Sequence, residues 1–314
     1  MNTPLCVVLG GSGFLGQHLC RALLVSGSRV RSVSRSGHPS GPSEAWWSDV
    51  EWVVAPIGTT LSAKALHNAD FVFHLASTTL PSTSNESISY DLESNLVATV
   101  KILEAAVSAG VRRLVFVSSG GTVYGIARQV PISETHPTDP ICSHGIQKLS
   151  IEKYLYLFRA MKGLDSMILR VSNMYGESQD CNKPVGAVAH FVAKAIGRMP
   201  LEIWGDGTTT RDYVHVDDVV KALVMAAKYE GAERLFNIGT GRGTSLAELV
   251  DLLRERTPWP VAISYGAARS FDVPENVLDV GRARSELLWI PEVTLERGLD
   301  KVVQRAVGRL AACT

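Results

Sequence analysis

The stretch Leu5–Leu19, LCVVLGGSGFLGQHL, constrains this chain more than any other. Leu5 to Leu9 is a short continuous apolar run with β-branched residues, the pattern of a strand buried on both faces. It runs into Gly10, Gly13 and Gly16, and Phe14, Leu15, Leu19, Leu23 and Leu24 carry helical spacing. A strand, a glycine turn and a helix N-terminus together make a site for a pyrophosphate. Glycine lets phosphates approach the backbone, while open N–H groups and the helix dipole supply positive potential. The spacing is GxxGxxG rather than GxGxxG, so the strand that opens the chain carries as much of the reading as the glycines. Dinucleotide binding is the expectation.

The chain has 314 residues, enough for one large domain or two modest ones sharing an interface. Lys+Arg and Asp+Glu both number 31, and this balance argues against nucleic acid or an anionic membrane as partner. Any bound anion is expected in a local pocket. Cys6, Cys20, Cys142, Cys181 and Cys313 show no CxxC or CxxH spacing, so buried thiols in a reducing compartment are expected rather than disulfides or zinc. The N-terminal MNTPLCVVLGG has no basic n-region, and no run approaches a membrane span in length. A soluble, cytoplasmic protein is expected.

Strand-like and helix-like segments alternate through the first half: Arg29–Val33, Val50–Ala55, Phe71–Leu75, a helix from about Tyr90 to Ala109, then Leu114–Ser118. A helix from Gln147 to Met161 and a strand Ser166–Val171 follow, with loops at Ser34–Ser43 and Ser77–Ser87. This rhythm predicts a Rossmann-type, doubly wound α/β fold whose parallel sheet binds ligands at the carboxyl ends of its strands. Beyond Tyr175 the rhythm breaks. Residues 1–173, with 215–241 returning to them, are expected to form the dinucleotide-binding domain; 174–214 and 242–314 form a smaller α/β substrate-binding domain.

The end of the second strand bears on the cofactor. A carboxylate there would bind the adenosine ribose and repel a 2′-phosphate, but this chain has Ser34–Arg35. The cofactor expected is NAD or NADP, with a lean to NADP; the alternative for Arg35 is stacking on adenine or pointing to solvent.

Further motifs are GGSGFLG, FVFHLAS, ESNLVATVKILEAA, VSSGGTVYG, ILRVSNMYG, IWGDGTTTRDYVHVDDV, FNIGTG and RSFDVPENVLD, in that order. On these residues the chain resembles the extended short-chain dehydrogenase/reductases, in the NAD-dependent epimerase/dehydratase branch, and is most similar to UDP-glucose 4-epimerases. The resemblance implies a homodimeric nucleotide-sugar epimerase acting on a UDP-sugar through a transient 4-keto intermediate with bound NAD(P). It implies that Gly10, Gly13, Phe14, Leu15 and Gly16 line the pyrophosphate, that Ala76 borders the cofactor, and that Asn95 braces the sheet near it. Lys148 would hold the nicotinamide ribose, while Asn173, Arg211, Arg269 and Asp272 would hold the substrate's nucleotide. The chemistry agrees: two arginine forks suit a diphosphate, and a carboxylate accepts from ribose hydroxyls. The bland alternatives are a salt bridge from Arg211 to Asp212 or the Asp217–Asp218 pair, and a surface pair Arg269–Asp272. Asp217 and Asp218 read as capping acids of a helix.

Two departures fall on the chemistry. The family's acid/base Tyr stands four residues before its Lys, where this chain has His144 before Lys148. The family's Ser or Thr, five residues before the glycine of VYG, is replaced by Gly120, leaving Ser119 or Thr122 to supply the hydroxyl. A neutral imidazole accepts a proton at pH 7, but it reaches less far than a phenol, and a nearby Lys148 cation weakens it. His144 is therefore either the acid/base or the mark of an impaired enzyme. Two rivals stand beside the epimerase: an NADP-dependent 4-ketoreductase or dehydratase-type enzyme, and a non-catalytic nucleotide-sugar or dinucleotide binder. His74 and His215 read as structural, and no metal is expected.

Overall fold

The computed structural model describes residues 3–39, 43–179, 186–267 and 273–311. The first half runs β1 (Leu5–Leu9), α1 (Phe14–Val25), β2 (Arg29–Ser34), β3 (Val50–Val54), α2 (Thr60–Lys64) and β4 (Phe71–His74). Then come α3 (Ile88–Asp91), a π-helical turn Leu92–Val97, α4 (Ala98–Ser108), β5 (Arg113–Ser119), α5 (Ser143–Lys162) and β6 (Ser166–Val171). The remainder contributes β7 (Asn173–Tyr175), α6 (Ala187–Ile196), β8 (Leu201–Trp204), β9 (Thr210–His215), α7 (Val216–Lys228) and β10 (Leu235–Ile238). It ends with β11 (Gly243–Ser245), α8 (Leu246–Arg254), β12 (Ile263–Gly266), β13 (Glu275–Asn276), α9 (Gly281–Ser285) and α10 (Leu295–Ala311).

Among the described residues the main sheet has seven strands in the order β10-β6-β5-β4-β1-β2-β3, and every neighbouring pair is parallel. β1 is buried along its whole length because helices cover both faces. One apolar layer packs Leu19, Leu23, Val219 and Leu223 of α1 and α7 under the sheet; the other packs Ile102, Leu103, Ile151 and Leu155 of α4 and α5. A third cluster gathers Tyr175, Phe191, Ile203, Leu249 and Leu299 away from that sheet.

Three expectations need correction. The helix expected from Tyr90 begins at Ile88 and passes through the π-helical turn at Leu92–Val97. α5 starts at Ser143, four residues before the first residue of the expected helix. The cap of α7 is neither acid but His215, whose ring accepts from the Asp217 N–H at 3.3 Å. Asp217 and Asp218 fill the first turn instead, where carboxylates complement the helix dipole.

Candidate active site

The carboxyl ends of the parallel strands β1, β4, β5 and β6 lie at one edge of the sheet, followed there by the glycine loop, Ala76 and Ser119. Gly10 leaves β1 with φ +93°, and a Cβ on it would lie 3.0 Å from the Ala76 nitrogen. A Cβ on Gly16 would fall 2.2 Å from the Gly10 carbonyl oxygen, so only glycine lets the first turn of α1 close onto the loop. Gly11, which was not singled out from the sequence, is equally constrained: its Cβ would lie 2.3 Å from Ser32 Oγ. Gly13 caps α1 without a side-chain bond, and no acid occupies the first turn. The open N–H groups therefore face outward with the positive end of the helix dipole, a cradle that fits a dinucleotide pyrophosphate.

Ser34 is turned into this cradle, accepting the Ser12 N–H on its Oγ at 3.1 Å, whereas Arg35 is exposed. Asn95 braces the loop after β4 rather than the sheet: its Oδ1 accepts the Thr78 N–H (2.9 Å) and its Nδ2 donates to Thr78 Oγ1 (2.8 Å). The reason is its place in the π-helical turn, beside that loop.

His144 lies in the first turn of α5 and is 7% exposed. Its Nδ1 is buried with no hydrogen-bond partner. Burial, and then the Lys148 charge, push its pKa down to about 3, so the ring is neutral near pH 7. One turn on, Lys148 donates from Nζ to the Val117 carbonyl at 2.9 Å and lies 4.8 Å from the Phe116 ring centroid. Burial lowers its pKa to about 8, although Glu152 and Asp91 favour its charged form.

Of the hydroxyls in VSSGGT, Ser118 is committed elsewhere, donating to Glu152 behind the sheet edge. A Cβ on Gly120 would lie 2.6 Å from Leu278 Cδ1, so position 120 faces packed side chains, leaving no room for a serine. Ser119 is half-buried, and the Thr122 hydroxyl is buried without a partner. The position of a Cβ on Gly121 would be 3.3 Å from Asn173 Oδ1 and 3.9 Å from Ser119 Oγ, so Asn173 and Ser119 flank one small space. Arg211 on β9 donates to the carbonyls of Thr210 (2.8 Å) and Pro274 (3.4 Å). Asp212 instead accepts Thr240 and Gly241 N–H groups, while Asp217 meets His18 and Lys301. Arg269 and Asp272 lie outside the described residues.

His74 is buried with Nε2 2.8 Å from Thr99 Oγ1, and burial pushes its pKa down to about 3. His215, buried, bonds Glu177 at 3.0 Å. Among the described residues no cluster of three or more His, Cys, Asp or Glu could hold a metal, and no helix is long and apolar enough to cross a membrane.

A doubly wound parallel sheet with a glycine cradle after β1, and a lysine one turn into the helix after β5, defines a dinucleotide-binding protein of the short-chain dehydrogenase/reductase type. More particularly, the chain belongs to the NAD dependent epimerase/dehydratase family, whose model matches residues 6–239. It is 36% identical to a UDP-glucose 4-epimerase of Mycolicibacterium smegmatis, covering 95% of this chain and 97% of that one. It is 30% identical to a dTDP-4-dehydro-6-deoxyglucose reductase of Escherichia coli, covering 95% and 96%. The crystal structure of a UDP-glucose 4-epimerase from Thermotoga maritima with UDP-glucose superimposes with a TM-score of 0.91 at 34% identity, covering 98% of this chain and 99% of that one.

Proposed function

We propose that this protein is a nucleotide-sugar 4-epimerase acting on a UDP-hexose with NAD or NADP. The carrying observation is the similarity, over nearly the whole chain, to UDP-glucose 4-epimerases, supported by a glycine loop after β1 and by Lys148 bonded to the Val117 carbonyl of β5 in the same parallel sheet. The nicotinamide, when bound, supplies a reversible hydride acceptor. Phe14, Leu15 and the Gly10, Gly13 and Gly16 backbone hold the pyrophosphate, with Ala76 and Asn95 shaping the cofactor's other wall. Lys148 holds the ribose next to the ring. His144, neutral and with its Nδ1 enclosed, takes and returns the sugar hydroxyl proton through Nε2. Ser119 or Thr122 orients that hydroxyl, and Asn173, Arg211, Arg269 and Asp272 hold the nucleotide diphosphate.

The test is incubation of the purified protein with UDP-glucose, UDP-galactose and their N-acetyl and uronic forms. Interconversion of one pair is expected; none with any of them overturns the reading.

A second reading, an NADPH-dependent 4-ketoreductase on the same scaffold, is favoured by exposed Arg35 and the absence of a carboxylate at the end of β2. Stoichiometric consumption of added NADPH would select it over epimerisation with retained cofactor. A homodimer is also proposed, through α4 and α5, because Val97, Ile146, Tyr156 and Met161 are exposed apolar residues on or beside these helices.

A further inference from the structure

His18, half-buried on α1, makes contacts across the molecule that none of the roles above uses. Its Nε2 lies 3.0 Å from the Glu177 carbonyl oxygen, which can only accept, so this nitrogen carries a proton and donates. Its Nδ1 faces Asp217 Oδ1 at 3.5 Å, and its ring meets that of Phe14 edge to face, with centroids 5.6 Å apart. The Glu177 carboxylate is held from another side. His215, fully buried at the end of β9, accepts the Asp217 N–H on Nδ1 and donates from Nε2 to Glu177 Oε2 at 3.0 Å. Glu177 is thus gripped through its carbonyl by α1 and through its carboxylate by β9.

The backbone on either side of Glu177 is closely confined. A Cβ on Gly176 would lie 2.5 Å from Val216 Cγ1 of α7 and 3.4 Å from Phe14 Cζ. Ser178 has φ +72°, a left-handed conformation that a residue other than glycine keeps where its surroundings hold it. In the register of β7 on β9, Asn173 pairs with Tyr213 and Tyr175 with His215, while Arg211 lies earlier on β9. The grip therefore ties the helix whose first turn carries Phe14 and Leu15 to the two strands that carry Asn173 and Arg211.

We propose that His18 is a positioning residue: gripping Glu177 together with His215, it sets where the strands that hold the sugar nucleotide stand relative to the dinucleotide cradle. Its effect on turnover rests on the roles proposed above for the glycine loop, Asn173 and Arg211. Hydride transfer is sensitive to this placement, because a misplacement of about 1 Å costs on the order of a hundredfold in rate. Leucine at position 18 keeps an apolar neighbour for Phe14 and removes the bond to Glu177. Glutamine offers an amide N–H in place of Nε2–H.

The test compares the wild-type protein with His18→Leu and His18→Gln, reading NAD affinity, the kcat and KM of epimerisation, and hydrogen exchange over residues 173–178. His18→Leu should lower kcat by about ten- to a hundredfold, with KM and NAD affinity within about threefold of the wild type. His18→Gln should recover most of that kcat. Exchange over 173–178 should quicken in His18→Leu and much less in His18→Gln, with β1 unchanged in both. An unchanged kcat in His18→Leu, a rise in KM alone, or equal losses in the two variants overturns the proposal. If His18→Leu does not fold, Glu177→Ala decides: it removes the His215 half of the grip and should lower kcat, and an unchanged kcat overturns the proposal. Should the wild type interconvert no sugar nucleotide, the epimerase reading fails. Hydrogen exchange then tests the grip, and equal exchange over 173–178 in wild type and His18→Leu overturns it.

Discussion

Arg170 on β6 meets Glu152 on α5 through two hydrogen bonds, Nε to Oε1 at 3.0 Å and Nη2 to Oε2 at 2.6 Å, with both side chains buried. The guanidinium also lies 4.8 Å from the Tyr124 ring centroid, and the Tyr124 hydroxyl donates to Asn237 on β10 at 2.6 Å. The pair thus joins the helix carrying Lys148 to the edge of the main sheet. Removing one partner leaves a buried charge unanswered, so Glu152→Gln should cost about 3–5 kcal/mol and lower Tm by roughly 10 °C. Replacing both residues by Met and Leu should cost less than either single change. Thermal melts of the three variants check this.

The closure of the glycine cradle is tested by Gly16→Ala. The added methyl meets backbone 2.2 Å away and has no flexible neighbour to displace, so a loss of about 1–3 kcal/mol is expected. Dinucleotide binding should be lost with it. Gly27→Ala is the control: its φ of +80° also penalises a side chain, but nothing lies within 4 Å of the new Cβ. That variant should lose about 1 kcal/mol and bind NAD as the wild type does.

The part played by His144 is read from its replacement. His144→Phe should lower kcat by roughly 10²–10⁴-fold with KM little changed, the signature of a group acting in proton transfer. Because the imidazole pKa is held at about 3, no acid limb from this residue should appear between pH 5 and 7. His144→Tyr separates the remaining cases. A large gain marks an enzyme one residue from full competence, while an inert variant that still binds dinucleotide marks a binding protein.

Arg35 tests the proposed preference between the dinucleotides. It is exposed at the end of β2, where a 2′-phosphate would gain a cation and a free ribose would find no carboxylate. Arg35→Asp should weaken NADP binding by about tenfold or more and leave NAD affinity equal or improved. Equal NADP affinity in wild type and variant would place the preference elsewhere.

The sequence by itself determined the parallel sheet and the glycine loop after β1, because apolar runs and glycine spacing act locally and the crossover rules leave few topologies. The resemblance to the family also marked His144 and Lys148, which stand where its Tyr and Lys are expected. The sequence did not determine where α5 begins: no cap residue precedes Ser143, and the periodic pattern is clear only from Gln147. That start is fixed by Asn85, Ser84 and Asp91, more than fifty residues upstream. Nor could sequence choose between Ser119 and Thr122, because only packing shows that Ser119 and Asn173 flank one small space while the Thr122 hydroxyl is buried without a partner. Local propensity writes the elements, whereas buried polar groups choose their partners only after the elements pack, and that choice sets the chemistry of the site.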